Sequence, residues 1–426
     1  MQAVAKLNSL LTTNKKTAIA LLIFLSVFFL STCISNPNSP EKEIRGEAYA
    51  GSVQCKKCHQ KVYDDFIHTA HFNTSNNKLP QMVQTAFDTG KNIFEFNDST
   101  KVVMEKKDSS FYQTYYQNGS KIFSLPFDIA VGSGRKAQTY LYYNDRKKIS
   151  QLPISYFITQ NSWANSPGFP EDHPRFDRNV PSYCMGCHSS FIDVKQTYTG
   201  VVMQEEFEKN KIIYGIDCER CHGAARAHVE YQTNHPEEKE SKFITRISSL
   251  NRIQKNDMCA LCHSGFRDVQ QSLFNFKPGD NLNNFYIPYY GRVDTSNLDV
   301  HGNQTQLMLA SKCYKLSNDL TCTSCHNVHV KERDDIKTFS QRCISCHKQV
   351  DHSFINTERN LADVVLNNCI NCHMPLKASA TITMLTKQKT DAYPDYIRTH
   401  LITIYEEETK KNLDSLTSIT SKSKSK

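Results

Sequence analysis

Long apolar runs are missing from this chain. The stretch that comes nearest, Ala18 to Leu30, is too short to cross a bilayer comfortably. Apolar residues are also scarce overall, at 39% of 426 residues with a mean hydropathy of −0.54. Aliphatic packing alone is therefore a poor candidate for filling the interior of a chain this long. Cysteine is absent between Cys58 and Cys184, which keeps sulfur chemistry out of that stretch. Acidic residues are outnumbered by basic ones, 43 to 51, for a formal charge of +8.

Sixteen cysteines are present, and fourteen of them fall into one repeated pattern. Cys-x-x-Cys-His occurs at Cys55/Cys58/His59, Cys184/Cys187/His188, Cys218/Cys221/His222, Cys259/Cys262/His263, Cys322/Cys325/His326, Cys343/Cys346/His347 and Cys369/Cys372/His373. This is the attachment sequence of c-type haem. A two-residue gap in a helical turn lets two sulfurs reach the two vinyl groups on one porphyrin edge. The adjacent histidine then points at the iron as proximal ligand. Zinc knuckles also use Cys-x-x-Cys, but zinc requires no histidine directly after every second cysteine. With 16 histidines in 426 residues, seven such followers are not an accident of composition. A disulfide scaffold fails on the same ground, and cysteines at this spacing rarely pair structurally. The expectation is seven covalent haems. Each oxidised haem adds two propionates against one net positive charge, removing roughly one unit, so the holoprotein comes out about neutral. The basic balance gives no reason to expect nucleic acid.

Nine histidines remain as possible distal ligands. His68 and His71 share a helix face after His59. His228 and His329 lie too near His222 and His326 to span those haems, so each would serve a neighbouring one. His301, His352 and His400 are further candidates. His173 and His235, each followed by proline, read as loop residues. Cys313 lacks a partner at haem spacing and reads as a buried thiol.

The N-terminus reads as an export signal over residues 1–32: Lys15 and Lys16, an apolar run, then Leu30-Ser31-Thr32 before Cys33. Cys33 is the expected lipidation site of a bacterial lipoprotein, held at a membrane surface without spanning it. Residues 33–48 read as a tether and 49–79 as a first haem-binding segment. Residues 80–164 read as a β-rich insertion, because 101–104, 111–116, 121–125 and 139–143 are aromatic and β-branched and Asn118-Gly119 marks a hairpin. A six-haem region follows at 165–402, with a helical run from Glu358 to Leu366. The Ser- and Lys-rich tail, 403–426, is expected to be disordered.

Several blocks resemble the cytochrome c-552/4 (cytochrome c-554) family. They are Tyr49 to His59, followed by Phe66, Thr69 and His71; Cys218 to Gly223 with His228, where Ala224-Ala225 replace the family's Pro-Gly; Thr321 to His326 with His329; and Cys369 to Pro375. The Thr69-x-His71 match favours His71 over His68 as a ligand. The resemblance implies a mainly α, loop-rich fold organised around packed haems, here with an inserted antiparallel β unit. It also implies electron transfer, with the membrane and redox proteins or a respiratory complex as partners. Relatives include enzymes, so the alternative is an oxidoreductase acting on a small nitrogen or sulfur compound at one five-coordinate haem, with Arg135, Arg226 or Arg267 as the available cations. The Cys-x-x-Cys-Lys site of ammonia-forming nitrite reductases is absent.

Overall fold

The computed structural model describes residues 43–79, 81–265, 267–287, 298–350, 352, 364–385 and 392–424. The leader, Cys33, most of the tether and residues 358–363 of the expected helical run lie outside them. The compact body begins at Ile44.

Strands and helices share this body, which corrects the expectation of a mainly α fold: four antiparallel sheets are present among the described residues. Strands β2 (Ile93–Asn97), β3 (Thr100–Lys107), β4 (Ser110–Gln117) and β5 (Ser120–Pro126) form a four-stranded meander. Asn118 and Gly119 turn β4 into β5 with φ of 50° and 80°, values those two residues tolerate. A seven-stranded sheet runs β1 (Ser75–Asn76), β6 (Ile129–Val131), β7 (Ala137–Tyr143), β8 (Ile149–Gln151), β11 (Arg178–Asn179). Strand β9 (Ile154–Phe157) branches from β7 and carries β10 (Ser162–Asn165).

The two sheets close on Val102, Met104, Tyr140, Leu152, Ile154 and Trp163. Trp163 donates its indole N–H to the Ala86 carbonyl at 3.0 Å, and the buried Gln113 amide joins both peptide groups of Ile154 across the sheets. On its other side the seven-stranded sheet offers Ile129, Leu141 and Ile149 to Met185, Ile192, Phe207 and Ile212. That contact fixes the helix Ser182–His188 and a long hairpin, β12 (Ser189–Thr199) and β13 (Val202–Tyr214). A second hairpin, β14 (Leu376–Met384) with β15 (Tyr393–Arg398), follows the last cysteine motif.

The reason for the correction is local. Three motif helices span only four or five residues, at Cys218–His222, Cys322–Cys325 and Cys369–His373. One turn is all that a Cys-x-x-Cys-His sequence needs, so the chain between motifs is free to follow its β-branched content. The tail departs from expectation too, since Glu406–Lys424 is helical. Three glutamates sit in its first turn, where the helix dipole favours negative charge, and Asn412 donates to the Asn371 carbonyl at 3.1 Å.

Candidate haem-binding cavity

Several motifs ride on helical turns whose starts are capped by local side chains. Asp217 caps the third, accepting from the Arg220 amide at 2.9 Å. Asn251 and Gln254 make a capping box for Arg252–His263, and Asp335 caps Ile336–Cys346. The turn then closes the same way at several motifs. The histidine amide donates to the first cysteine's carbonyl at 2.8 Å for His59, 3.0 Å for His326 and 2.9 Å for His347. Two thiols and one imidazole are thereby presented together.

These groups converge on one cavity of about 2570 Å³, several times the ~300–1,000 Å³ that suits a single small ligand. All seven motif histidines line it, as does every motif cysteine except Cys184. His68, His71, His228, His301, His329, His352 and His400 line it as well. His173 and His235 do not; they face Asp172 at 2.7 Å and Glu237 at 3.7 Å.

Imidazoles meet across the cavity in pairs. Ring centroids lie 6.1 Å apart for His71 and His263, for His222 and His329, and for His326 and His400. The interplanar angles are 83°, 12° and 27°. One metal ion between two imidazoles, with bonds of about 2.0 Å and ring centres about 1.1 Å beyond each nitrogen, sets centroids about 6.2 Å apart. At these three pairs the centroid separation matches that of two imidazoles either side of one iron. Desolvation pushes His71 down to about 4, helped by His263 and His326, although His71 is exposed by area. The two facts agree because that area faces the cavity. His188 falls to about 4 through desolvation and then its neighbours His301 and His263, and His400 does so through desolvation and His326. A neutral imidazole is the metal-binding form.

Second contacts orient the rings. His228 Nδ1 donates to the Lys242 carbonyl at 2.8 Å, and His373 Nδ1 to that of Thr403 at 2.9 Å, which leaves Nε2 of each without a proton. His188 Nδ1 lies 3.4 Å from the Thr74 hydroxyl. His400 Nδ1 is buried with no hydrogen-bond partner. No local pattern marks Thr74, Lys242 or Thr403, because each acts on a histidine brought to it by folding.

The motifs also touch one another. Thiols of different motifs lie beside one another, Cys55 beside Cys218, Cys187 beside Cys262, Cys259 beside Cys322, and Cys343 beside Cys369. Cys221 acts electrostatically on Cys259, and Cys325 on Cys343. Cys313 lines the cavity beside the fifth and sixth motifs and is half-buried. Of the three arginines considered for substrate binding, Arg135 lines the cavity. Arg226 donates to the Glu47 carbonyl at 2.7 Å, and Arg267 to that of Ile287 at 3.3 Å.

Three comparisons bear on this arrangement. The family described as cytochrome c554 and c-prime matches residues 169–223, which hold the second and third motifs. No curated protein matches the chain. A solved structure titled "Crystal Structure of Outer Cell Wall Cytochrome OcwA" shares 14% identity over 86% of this chain and 82% of its own, with a TM-score of 0.48. That likeness is too distant to carry function.

Proposed function

We propose that this chain, a multihaem c-type cytochrome, binds seven haems, most with histidine on both faces, and serves as an electron carrier on the outer side of a bacterial membrane. Haem iron supplies one-electron redox chemistry when bound. The cysteines of the seven motifs would hold it by thioether bonds, with His59, His188, His222, His263, His326, His347 and His373 as proximal ligands. The distal pairings we assign are His71 with His263, His329 with His222, His400 with His326 and His301 with His188. The remaining distal positions draw on His68, His228 and His352.

The observation that carries the reading is the spacing of the three histidine pairs in a cavity shared by all seven motifs. Contacts between the motif helices add an order, with the first beside the third, the second beside the fourth, and the fourth, fifth, sixth and seventh in sequence. The protein's part is to hold neighbouring sites close and to orient imidazoles such as those of His228 and His373. Ligands on both faces favour transfer over substrate binding, and two of the three arginines offered by the oxidoreductase alternative are engaged by backbone carbonyls. Cys33 would anchor the mature chain through acyl groups, with redox proteins or a respiratory complex as partners. Among the described residues no helix is long and apolar enough to cross a membrane. The test is an optical and EPR census of the purified holoprotein. Nearly all iron should be low-spin; a large high-spin fraction, or a spectrum perturbed by nitric oxide, would favour the oxidoreductase.

A further inference from the structure

We infer that Glu219, acting with Arg45, is the positioning residue that docks the first Cys-x-x-Cys-His turn onto the third and so fixes the electron step between their haems. This rests on the haem reading above. Haem attachment needs two cysteines and a histidine, and nothing from the residues between them. Most of those intervening positions are uncharged, and the two lysines among them, Lys56 and Lys57, are half-buried and exposed respectively. Glu219 is instead 3% exposed, and a buried carboxylate is costly unless its oxygens are satisfied.

Here both oxygens are satisfied, chiefly by the segment leading into the first motif. Oε1 accepts from the Ala50 amide at 2.9 Å and the Ala225 amide at 2.8 Å. Oε2 accepts from the Gly51 amide at 2.9 Å and from Arg45 at 2.9 Å. Gly51 has φ of 80°, a conformation that a side chain would resist and that lets consecutive amides aim at one carboxylate. The same Arg45 guanidinium bridges to Asp217 at 2.8 Å, and Asp217 caps the third motif's helix. Arg226 closes the other edge, its amide donating to the Ala48 carbonyl at 3.0 Å and its Nε to that of Glu47 at 2.7 Å. Residues 45–51 are thus zipped along the third motif, and Cys55 and Cys218 meet at the end of the zip.

The charge has a second effect. Ferric haem carries one more positive charge than ferrous haem, so a buried carboxylate beside the site stabilises the oxidised form. Removing it raises the potential of the neighbouring haem whatever the sum of the surrounding charges.

The test uses full-length holoprotein with Glu219→Gln or Arg45→Ala. Gln keeps an oxygen for Ala50 and Ala225 but turns an amide N–H₂ toward the Gly51 and Arg45 donors. Arg45 lies outside every motif, so its variant reads the clamp without altering haem attachment. With haem stoichiometry equal to the parent's, hydrogen exchange at residues 45–51 should rise at least tenfold in both variants. In Glu219→Gln a minor part of the redox titration should also move to higher potential. Haem-replete variants whose exchange and titration superimpose on the parent's overturn the clamp. A parent that carries no haem overturns the reading beneath it, a distinguishable failure.

Discussion

Replacing His71 by glycine tests the distal assignments where the geometry is most distinctive. His71 meets His263 at 6.1 Å with ring planes 83° apart, whereas the other two ring pairs are nearer parallel, at 12° and 27°. Crossed imidazole planes leave two iron d orbitals nearly equal in energy and give a strongly anisotropic low-spin EPR signal. Near-parallel planes split those orbitals and give a rhombic one. Loss of one distal imidazole among seven sites converts about one seventh of the iron to high spin. In His71→Gly that fraction should be drawn from the strongly anisotropic signal, with the rhombic signals intact, and exogenous imidazole should restore it. The assay is quantitative EPR with optical detection of the high-spin band. Loss from the rhombic signals instead, or no high-spin iron in a folded, haem-replete variant, would refute the pairing.

Two further substitutions probe the supports of the site. Gly215 has φ of 66°, and a Cβ there would sit 1.9 Å from the Phe72 carbonyl oxygen. Gly215→Ala should therefore displace the segment that holds His71, whose carbonyl accepts from the Ile216 amide at 2.9 Å. The same high-spin fraction should appear without touching a ligand, and an unchanged spectrum would count against this role. In the β core, Trp163 is 4% exposed and stacks edge-on against Phe87 and Tyr156. Trp163→Ala should cost about 3–5 kcal/mol in denaturant unfolding followed by circular dichroism, with the haem spectrum unchanged before the transition. A loss below about 1 kcal/mol would mean that the two sheets do not depend on this ring.

What could be read from the sequence follows from how far each constraint reaches. The seven motifs are legible because bond lengths fix their spacing within five residues. The Asn118-Gly119 turn is legible because only a few residue types tolerate its backbone. The pairing of His71 with His263, or of His400 with His326, is not, since nothing near either member specifies the other. The strands β12 and β13 are not legible because polar and charged runs, Glu205-Glu206 and Glu208 to Lys211 among them, interrupt their apolar alternation. The family resemblance implies helix there instead. In the tail, serine and lysine suggested disorder, while the three glutamates at residues 406–408 and the reach of Asn412 to Asn371 favour a docked helix. The residues that orient the ligands are set by tertiary contact, so composition and spacing do not single them out.

Every assignment above depends on seven porphyrins being attached to one polypeptide. Haem quantified by the pyridine haemochrome method against polypeptide, together with intact mass, tests it most directly on full-length protein from a host that matures c-type cytochromes. A ratio of seven is expected, with a matching mass increment that survives denaturation. A polypeptide with fewer attached haems, or a mass without any, would contradict it.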